Sequence, residues 1–246
     1  MFPYHDENET ERTAVITIAI IAICVIVWIV VQGAGTDPKL PTSVCNLGLI
    51  PGEFTQQAPV GSGIQMGDHQ YCAVDEGPEY AHVFTSMFLH GSWMHLLGNM
   101  WFLWLFGNNI EDSMTRPRFV LFYLLCGIAA AFMQILAEPS SPVPMVGASG
   151  AISGVMGAYL ILYPKVKVYT IVPLIVFATT FALPAWVMLI YWIGLQLLGG
   201  LGGGEGGVAF WAHVGGFISG MVWVKVFARR DKVALHTSGQ WRPARY

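Results

Sequence analysis

The chain has 246 residues, of which 54% are hydrophobic and only 11% are charged, and its formal net charge is −3. Soluble domains contain roughly 25% charged residues, so this composition excludes an ordinary soluble protein and indicates an integral membrane protein. The slightly acidic balance gives no reason to expect nucleic-acid binding, and the length fits about six membrane spans of ~20 residues in one domain.

The first apolar segment follows a short acidic N-terminus. Residues 1–12 contain four Asp or Glu side chains and one Arg, the opposite of the basic start of a signal or transit peptide. The segment from Thr13 to Val31 contains no charged residue. We therefore predict that this segment is retained as the first membrane span.

A long polar loop is predicted between the first two spans, over residues 32–90. It is rich in proline, glycine and acidic residues, and Lys39 is its only Lys or Arg. Cys45 and Cys72 are the two cysteines outside apolar segments, and they could form a disulfide if the loop faces an oxidising compartment. The alternatives are two free thiols, or a metal pair with His69 that lacks any recognised zinc spacing.

Five more apolar segments complete the predicted bundle. Their approximate limits are residues 92–107, 119–137, 147–163, 185–198 and 208–227. Because Pro173 and Pro184 interrupt the stretch before the fifth span, residues 168–184 are predicted to form a short interfacial segment. The glycine-rich residues 199–207 are expected to be a mobile linker before the last span.

Lysine and arginine are divided very unequally between the two sides of a six-span bundle. Lys39 falls on one side, and the other eleven of the twelve basic residues fall on the opposite side. Because basic residues favour the cytoplasmic side, both termini are predicted to be cytoplasmic and the loop at 32–90 external. Residues 1–12 and a basic tail at 229–246 would then flank a membrane domain at 13–228.

The segment at 146–159 places a serine among glycines at the start of an apolar helix. Helical spacing would set four of its glycines close to one stripe, Gly147, Gly150, Gly154 and Gly157. Such a stripe lets a neighbouring helix approach closely inside a membrane. Ser149 would lie in the first turn, where unpaired N–H groups and the helix dipole favour negative charge. The alternative is a glycine-rich packing helix with a capping serine.

Four further polar side chains are predicted near the depth of Ser149. His95 and Asn99 are spaced i and i+4 on the second span, His90 precedes them, and His213 follows the start of the last span by about one and a half turns. Ionisable residues inside a bilayer are costly and are functional candidates. A zinc site from the three histidines is conceivable, but it would leave the serine and the asparagine without a role.

A serine and a histidine together favour nucleophilic catalysis. No Asp or Glu falls inside a predicted span, which excludes an aspartyl mechanism and argues against a buried Ser-His-Asp triad. The soluble serine-hydrolase elbow Gly-x-Ser-x-Gly would require glycine where the chain has Ala151. We predict that His213 is the general base for Ser149, with His95, Asn99 and the serine N–H stabilising the oxyanion.

Three separated motifs resemble those of the rhomboid intramembrane serine proteases. They lie within roughly residues 84–227 and are GASG before the glycine-striped helix, HxxxN at His95 to Asn99 and AHxxG at Ala212 to Gly216. The resemblance implies an all-α, six-helix bundle whose short central fourth helix borders a water-filled hollow open to the outside.

The resemblance also assigns roles within the site. It implies that Ser149 is the nucleophile, His213 the general base, and His95 and Asn99 the oxyanion donors, and the supporting residues would be Gly147, Gly150 and His90. The family's first loop often carries a Trp-Arg pair before the second span, whereas this chain has Ala81 and His82 there. The paired cysteines are a candidate substitute for that brace.

The predicted function is a membrane-embedded serine endopeptidase that cleaves transmembrane protein substrates near the outer face of a bacterial plasma membrane. Its partners would be substrate helices and the lipid bilayer, without nucleic acid, metal or organic cofactor. The main alternative is a rhomboid-like protein that binds membrane segments without cutting them. A transporter is less favoured, because no inverted repeat and no intramembrane acid is evident.

Overall fold

The computed structural model describes residues 2–67, 70–173, 178–203, 207–229, 231 and 233, which are mainly helical. In chain order the helices are α1 (Val15–Val30), α2 (Lys39–Leu47), α3 (Pro51–Phe54), α4 (His82–Thr85), α5 (Trp93–Asp112), α6 (Arg116–Ala137), α7 (Ser149–Leu162), α8 (Ala185–Leu201) and α9 (Phe210–Phe227). The strands are β1 (Phe2–Asp6), β2 (Gly63–Met66), β3 (Gln70–Ala73), β4 (Lys167–Pro173) and β5 (Ala178–Pro184). Most of the predicted basic tail, and residues 204–206 of the predicted linker, lie outside the described residues.

The six long helices lie where the sequence predicts apolar spans. Five of them, α1, α6, α7, α8 and α9, begin and end within three residues of the predicted limits. Among the described residues, α6 and α9 are long and apolar enough to cross a membrane, and α1, α7 and α8 are apolar but shorter. The six helices are therefore observed, and the number of membrane crossings stays a prediction.

Helix α5 extends five residues beyond its predicted end, as far as Asp112. Its last turn binds the start of α1, because Glu111 accepts hydrogen bonds from the Ile16 and Thr17 N–H groups at 3.0 and 2.8 Å. Asp112 forms an ion pair with Arg12 at 3.0 Å. The Glu111 carboxylate thus satisfies donors at the N-terminus of α1 that have no partner within that helix, and Asp112 holds Arg12, which precedes the helix.

The segment that was predicted to be interfacial forms a β-hairpin. β4 and β5 pair antiparallel, and β1 pairs antiparallel with the other edge of β4. The sequence of β4, KVYTIVP, is rich in β-branched and aromatic residues, which favour strands over helices. The fold is therefore mostly helical rather than all-α, with a three-stranded sheet beside the bundle.

A buried carboxylate anchors the N-terminal strand to the bundle. Asp6 accepts hydrogen bonds from the Tyr159 hydroxyl at 2.5 Å and from Asn109 Nδ2 at 2.9 Å. Removal from water raises the pKa of Asp6 to about 6, and the two donors oppose that rise. These hydrogen bonds hold the N-terminal strand against α5 and α7.

The segment at 32–90, predicted to be an external loop, contains short helices and a hairpin. β2 and β3 pair antiparallel. Cys45 on α2 and Cys72 on β3 are joined in the structure, with Cα atoms 5.2 Å apart, which is within the range that a disulfide needs. Gln32 and His90 exchange two hydrogen bonds at 2.7 and 2.8 Å, so the two ends of the segment are held together.

Glycines bring α7 and α9 to backbone contact in the centre of the bundle. A Cβ added at Gly216 would overlap the backbone carbonyl of Gly150, and one added at Gly220 would overlap that of Gly154. Gly157 faces the α9 backbone in the same way. Gly150 and Gly154 of the predicted stripe instead face α6, so the α7 glycines allow close approach of two neighbouring helices.

Candidate active site

Ser149 and His213 meet where α7 and α9 begin. Ser149 is the first residue of α7, and His213 lies in the first turn of α9. His213 Nε2 and Ser149 Oγ are 2.8 Å apart, which is a hydrogen-bond distance. The close glycine contact between the two helices sets this separation. Two residues that are distant in the sequence therefore form a Ser-His pair.

Gln196 of α8 extends this pair into a chain of three side chains. Its Oε1 lies 2.7 Å from His213 Nδ1. With the amide oxygen toward the ring, as the structure places it, the contact requires a proton on Nδ1, and Nε2 then presents its lone pair to the Ser149 hydroxyl. The serine therefore donates to the histidine, as general-base catalysis requires. The sequence analysis missed Gln196, although it is the one amide in the predicted fifth span.

His95 presents a ring N–H to the space beside Ser149. Ser92 caps α5 by accepting the His95 N–H at 3.1 Å, and His95 Nδ1 accepts the Gly91 N–H at 3.3 Å. The ring proton is therefore on Nε2. A Cβ added at Gly147 would lie 2.7 Å from this nitrogen and 3.5 Å from Ser149 Oγ, so the two groups border the same small space.

Gly147 lies outside the glycine stripe of α7. It precedes the helix with a φ of 129°, and its N–H donates to the Ser86 carbonyl at 2.9 Å. This positive φ is readily adopted by glycine and rarely by other residues. The expectation that Gly147 continues the helical stripe is therefore wrong. The residue instead keeps the space between His95 and Ser149 open.

Asn99 offers a second unused donor. Its Nδ2 is buried and has no hydrogen-bond partner within the part of the chain that the structure describes, and the residue borders the cavity beside Ser149. A buried donor without a partner costs about 1–3 kcal/mol, and this one is free to donate to a group that enters the cavity. The Ser149 N–H is a third donor, because the first residue of a helix has no acceptor within it.

His90 packs behind His95 and is fully buried. The two rings contact edge to face, with centroids 5.2 Å apart. Among the described residues, no three His, Cys, Asp or Glu side chains lie close enough together to hold a metal ion. His69, the third member of the alternative metal site with the two cysteines, is outside the described residues.

A cavity of about 850 Å³ opens beside Ser149 and His213. Trp192 of α8 contacts the His213 ring, with centroids 5.7 Å apart, and borders the same cavity. The volume is within the range of sites that hold drug-sized ligands, so a short stretch of extended peptide would fit. The segment at 32–90 supplies part of the apolar wall with Leu40, Val44, Ile64 and Met66.

The structure thus brings Ser149, His213, His95 and Asn99 to one cavity, as the sequence analysis expects. Gly150 packs against Ala130 of α6, where it leaves no room for a side chain. The assembled groups comprise a nucleophile, a base and several donors for an anionic oxygen. This set has the components that acyl transfer through a serine requires.

Comparison with known proteins identifies related sequences for most of the chain. A model of the Rhomboid domain matches residues 77–230. RHOMBOID-like protein 6, mitochondrial, of Arabidopsis thaliana is 31% identical over 165 residues, which cover 62% of this chain and 53% of that protein. Rhomboid protein 1, mitochondrial, of Saccharomyces cerevisiae is 27% identical over 169 residues, which cover 65% of this chain and 46% of that protein.

A bacterial relative is similar over a shorter region. Rhomboid protease GluP of Bacillus subtilis is 38% identical over 82 residues, which cover 33% of this chain and 16% of that protein. The chain spans about half the length of the plant and yeast relatives.

Proposed function

The chain belongs to the rhomboid family of membrane proteins, and we propose that it acts as an intramembrane serine endopeptidase. It would hydrolyse peptide bonds in or next to transmembrane segments of substrate proteins. The observation that carries this proposal is the 2.8 Å contact between Ser149 Oγ and His213 Nε2 at the edge of a large cavity. The family supports it further, since one relative, GluP, is named a protease.

The proposed reaction uses groups that border the cavity. Ser149 Oγ attacks the scissile carbonyl carbon while His213 Nε2 takes its proton, and the carbonyl oxygen becomes an oxyanion. His95 Nε2–H, Asn99 Nδ2–H and the Ser149 N–H donate to that oxygen. His213 returns the proton to the leaving amine, and a water molecule activated by the same histidine then hydrolyses the acyl-enzyme. Every proton transfer in this reaction uses groups of the chain itself, the substrate and water.

The proposed substrates are single transmembrane helices. A helix hides its carbonyl groups in internal hydrogen bonds, so a segment must unwind before Ser149 can attack it. Glycine or proline near the cleavage point weakens a helix and should favour cleavage. A small residue at the cleaved bond should also be preferred.

We also propose that all six long helices cross the bilayer, with both termini in the cytoplasm and Ser149 near the outer face. Lys165 follows the end of α7 and Lys225 lies in the last turn of α9, so both are at the helix ends opposite Ser149 and His213. This arrangement agrees with the preference of basic residues for the cytoplasmic side, and the proposed location is a bacterial plasma membrane. Two of the relatives are named mitochondrial, and the third is bacterial.

The decisive experiment measures cleavage of a model transmembrane substrate by the purified protein in liposomes. Ser149→Ala and His213→Ala should each abolish cleavage without unfolding the protein, and the double variant should be no worse, because the two residues act as a unit. Ser219→Ala on α9 is a matched control that should remain active. Full activity of Ser149→Ala would refute the protease. Substrate that binds to the wild-type protein and stays intact would instead support the non-cleaving alternative.

A further inference from the structure

Gln196 is a polar residue of α8 whose side chain reaches the Ser-His pair. Its Oε1 lies 2.7 Å from His213 Nδ1, and the opposite ring nitrogen of His213 lies 2.8 Å from Ser149 Oγ. We propose that Gln196 is a positioning residue, which fixes the tautomer and the ring orientation of His213. This inference rests on the proposed protease function.

The tautomer of a neutral histidine decides whether it can act as a base. If the proton were on Nε2, that atom and the Ser149 hydroxyl would both be donors, and the serine could not transfer its proton. In the placed orientation the Gln196 oxygen faces Nδ1, so a proton on Nδ1 completes the hydrogen bond and the contact favours the tautomer in which Nε2 is free. Serine hydrolases assign this same task to an aspartate.

The orientation of the ring requires a directional contact as well. Trp192 covers one side of the His213 ring, with centroids 5.7 Å apart and planes inclined by 42°. An aromatic contact of this kind does not distinguish one ring nitrogen from the other. The hydrogen bond from Nδ1 does, because it is directional and holds Nε2 toward Ser149.

A neutral amide suits the surroundings of α8 better than a carboxylate. The helix has the sequence AWVMLIYWIGLQLLGGL, which contains no charged residue. A carboxylate there would carry the large cost of a charge inside a bilayer. The amide accepts the same hydrogen bond without that cost, and its dipole still favours the positive charge that His213 gains when it takes the serine proton.

Two other roles for Gln196 make different predictions. The residue borders the cavity, so it could bind substrate, and its loss would then raise KM. It could also merely join α8 to α9, since interhelical hydrogen bonds stabilise membrane bundles, and its loss would then lower thermal stability alone. A positioning residue should instead change kcat and the intrinsic reactivity of Ser149.

The test compares Gln196→Met, which keeps the length of the side chain and removes the acceptor, with Gln196→Glu, which keeps an acceptor oxygen. Leu195→Met, at an exposed neighbouring position of α8, is the control. For each variant we would measure kcat and KM for a transmembrane substrate, the melting temperature, and the rate at which a small fluorophosphonate reacts with Ser149. The probe forms a bond from Oγ to phosphorus with loss of fluoride, and it makes little use of the substrate-binding surface.

We expect Gln196→Met to lower both kcat and the fluorophosphonate rate about tenfold, equivalent to about 1.4 kcal/mol, with KM changed by less than about twofold. Gln196→Glu should recover much of both rates, and Leu195→Met should match the wild type. An unchanged fluorophosphonate rate in Gln196→Met, whether KM or the melting temperature changes or not, would overturn the proposal. A folded Gln196→Glu that is as slow as Gln196→Met would also overturn it, because a protonated glutamate avoids the cost of a buried charge and still offers an acceptor oxygen.

The same experiment separates this proposal from the protease itself. If the wild-type protein reacts with the fluorophosphonate and cleaves the substrate, and Ser149→Ala does neither, the protease function is established whatever the role of Gln196. If the wild-type protein neither reacts with the probe nor cleaves, the protease and the role of Gln196 are both refuted.

Discussion

Replacement of Gly216 by alanine should separate the two helices that carry the Ser-His pair. Gly216 follows His213 by one turn of α9, and a Cβ at this position would overlap the backbone carbonyl of Gly150, the residue after Ser149. Because the obstacle is backbone and not the end of a flexible side chain, the strain cannot be relieved by a change of rotamer. The two helices themselves must move apart.

The size of this movement determines the expected effect. The added methyl lies so far inside contact distance that α7 and α9 must separate by roughly 1 Å, and a misplacement of this size can cost about 100-fold in rate. A similar increase in the 2.8 Å distance between Ser149 Oγ and His213 Nε2 would break that hydrogen bond. Overpacking should also cost about 1–3 kcal/mol of stability.

The assay is cleavage of a transmembrane substrate in liposomes, together with thermal unfolding in detergent. Gly194→Ala on α8 is the control, because a Cβ there would meet nothing within 4 Å, and it should keep wild-type activity. Gly220→Ala should destabilise the same helix contact one turn farther from the site, with a smaller loss of activity. Wild-type kcat and melting temperature in Gly216→Ala would refute the reasoning, and equal activity losses at Gly216 and Gly220 would assign the effect to stability alone.

Two further predictions concern the proposed oxyanion donor Asn99 and the disulfide of the segment at 32–90. Asn99→Ala should lower kcat by about tenfold or more with little change in KM, because its hydrogen bond strengthens only as charge develops, and a purely raised KM would make it a substrate-binding residue. Cys45 and Cys72 should resist alkylation until a reductant is added, and ready labelling of both in unreduced protein would contradict the pairing. Reduction should lower the stability by about 3 kcal/mol, because the disulfide closes a ring over 27 residues.

The sequence predicts the bundle well because membrane helices are defined by their own composition. Apolar segments without charges fix the limits of most long helices to within a few residues, since the cost of burying a charge in lipid leaves few alternatives. The same cost makes Ser149, His95 and His213 conspicuous. Polar residues near the same end of neighbouring spans are predicted to lie close together, and the structure brings these three to one cavity.

The parts that the sequence analysis missed depend on contacts between distant segments. β1 and β4 are separated by most of the bundle in sequence, and neither a proline nor a charge pattern predicts that they pair. The burial of Asp6 against Tyr159 follows from that pairing. The β-branched residues of β4 and β5 do form a strand pattern, but Pro173 and Pro184 also indicate breaks, and both prolines lie at strand ends where they interrupt no pairing.

Three glutamines form hydrogen bonds that hold the elements of the candidate site, and the same physical reason favours an amide at each position. Gln196 accepts from His213, Gln134 of α6 accepts the Ala212 N–H at 3.1 Å, and Gln32 exchanges two hydrogen bonds with His90. An amide donates and accepts in a low-dielectric interior without the cost of burying a charge. A search of the sequence for ionisable groups passes over such residues. A search for isolated amides within or directly after apolar segments would find all three. These amides lie on or next to helices that border the candidate site.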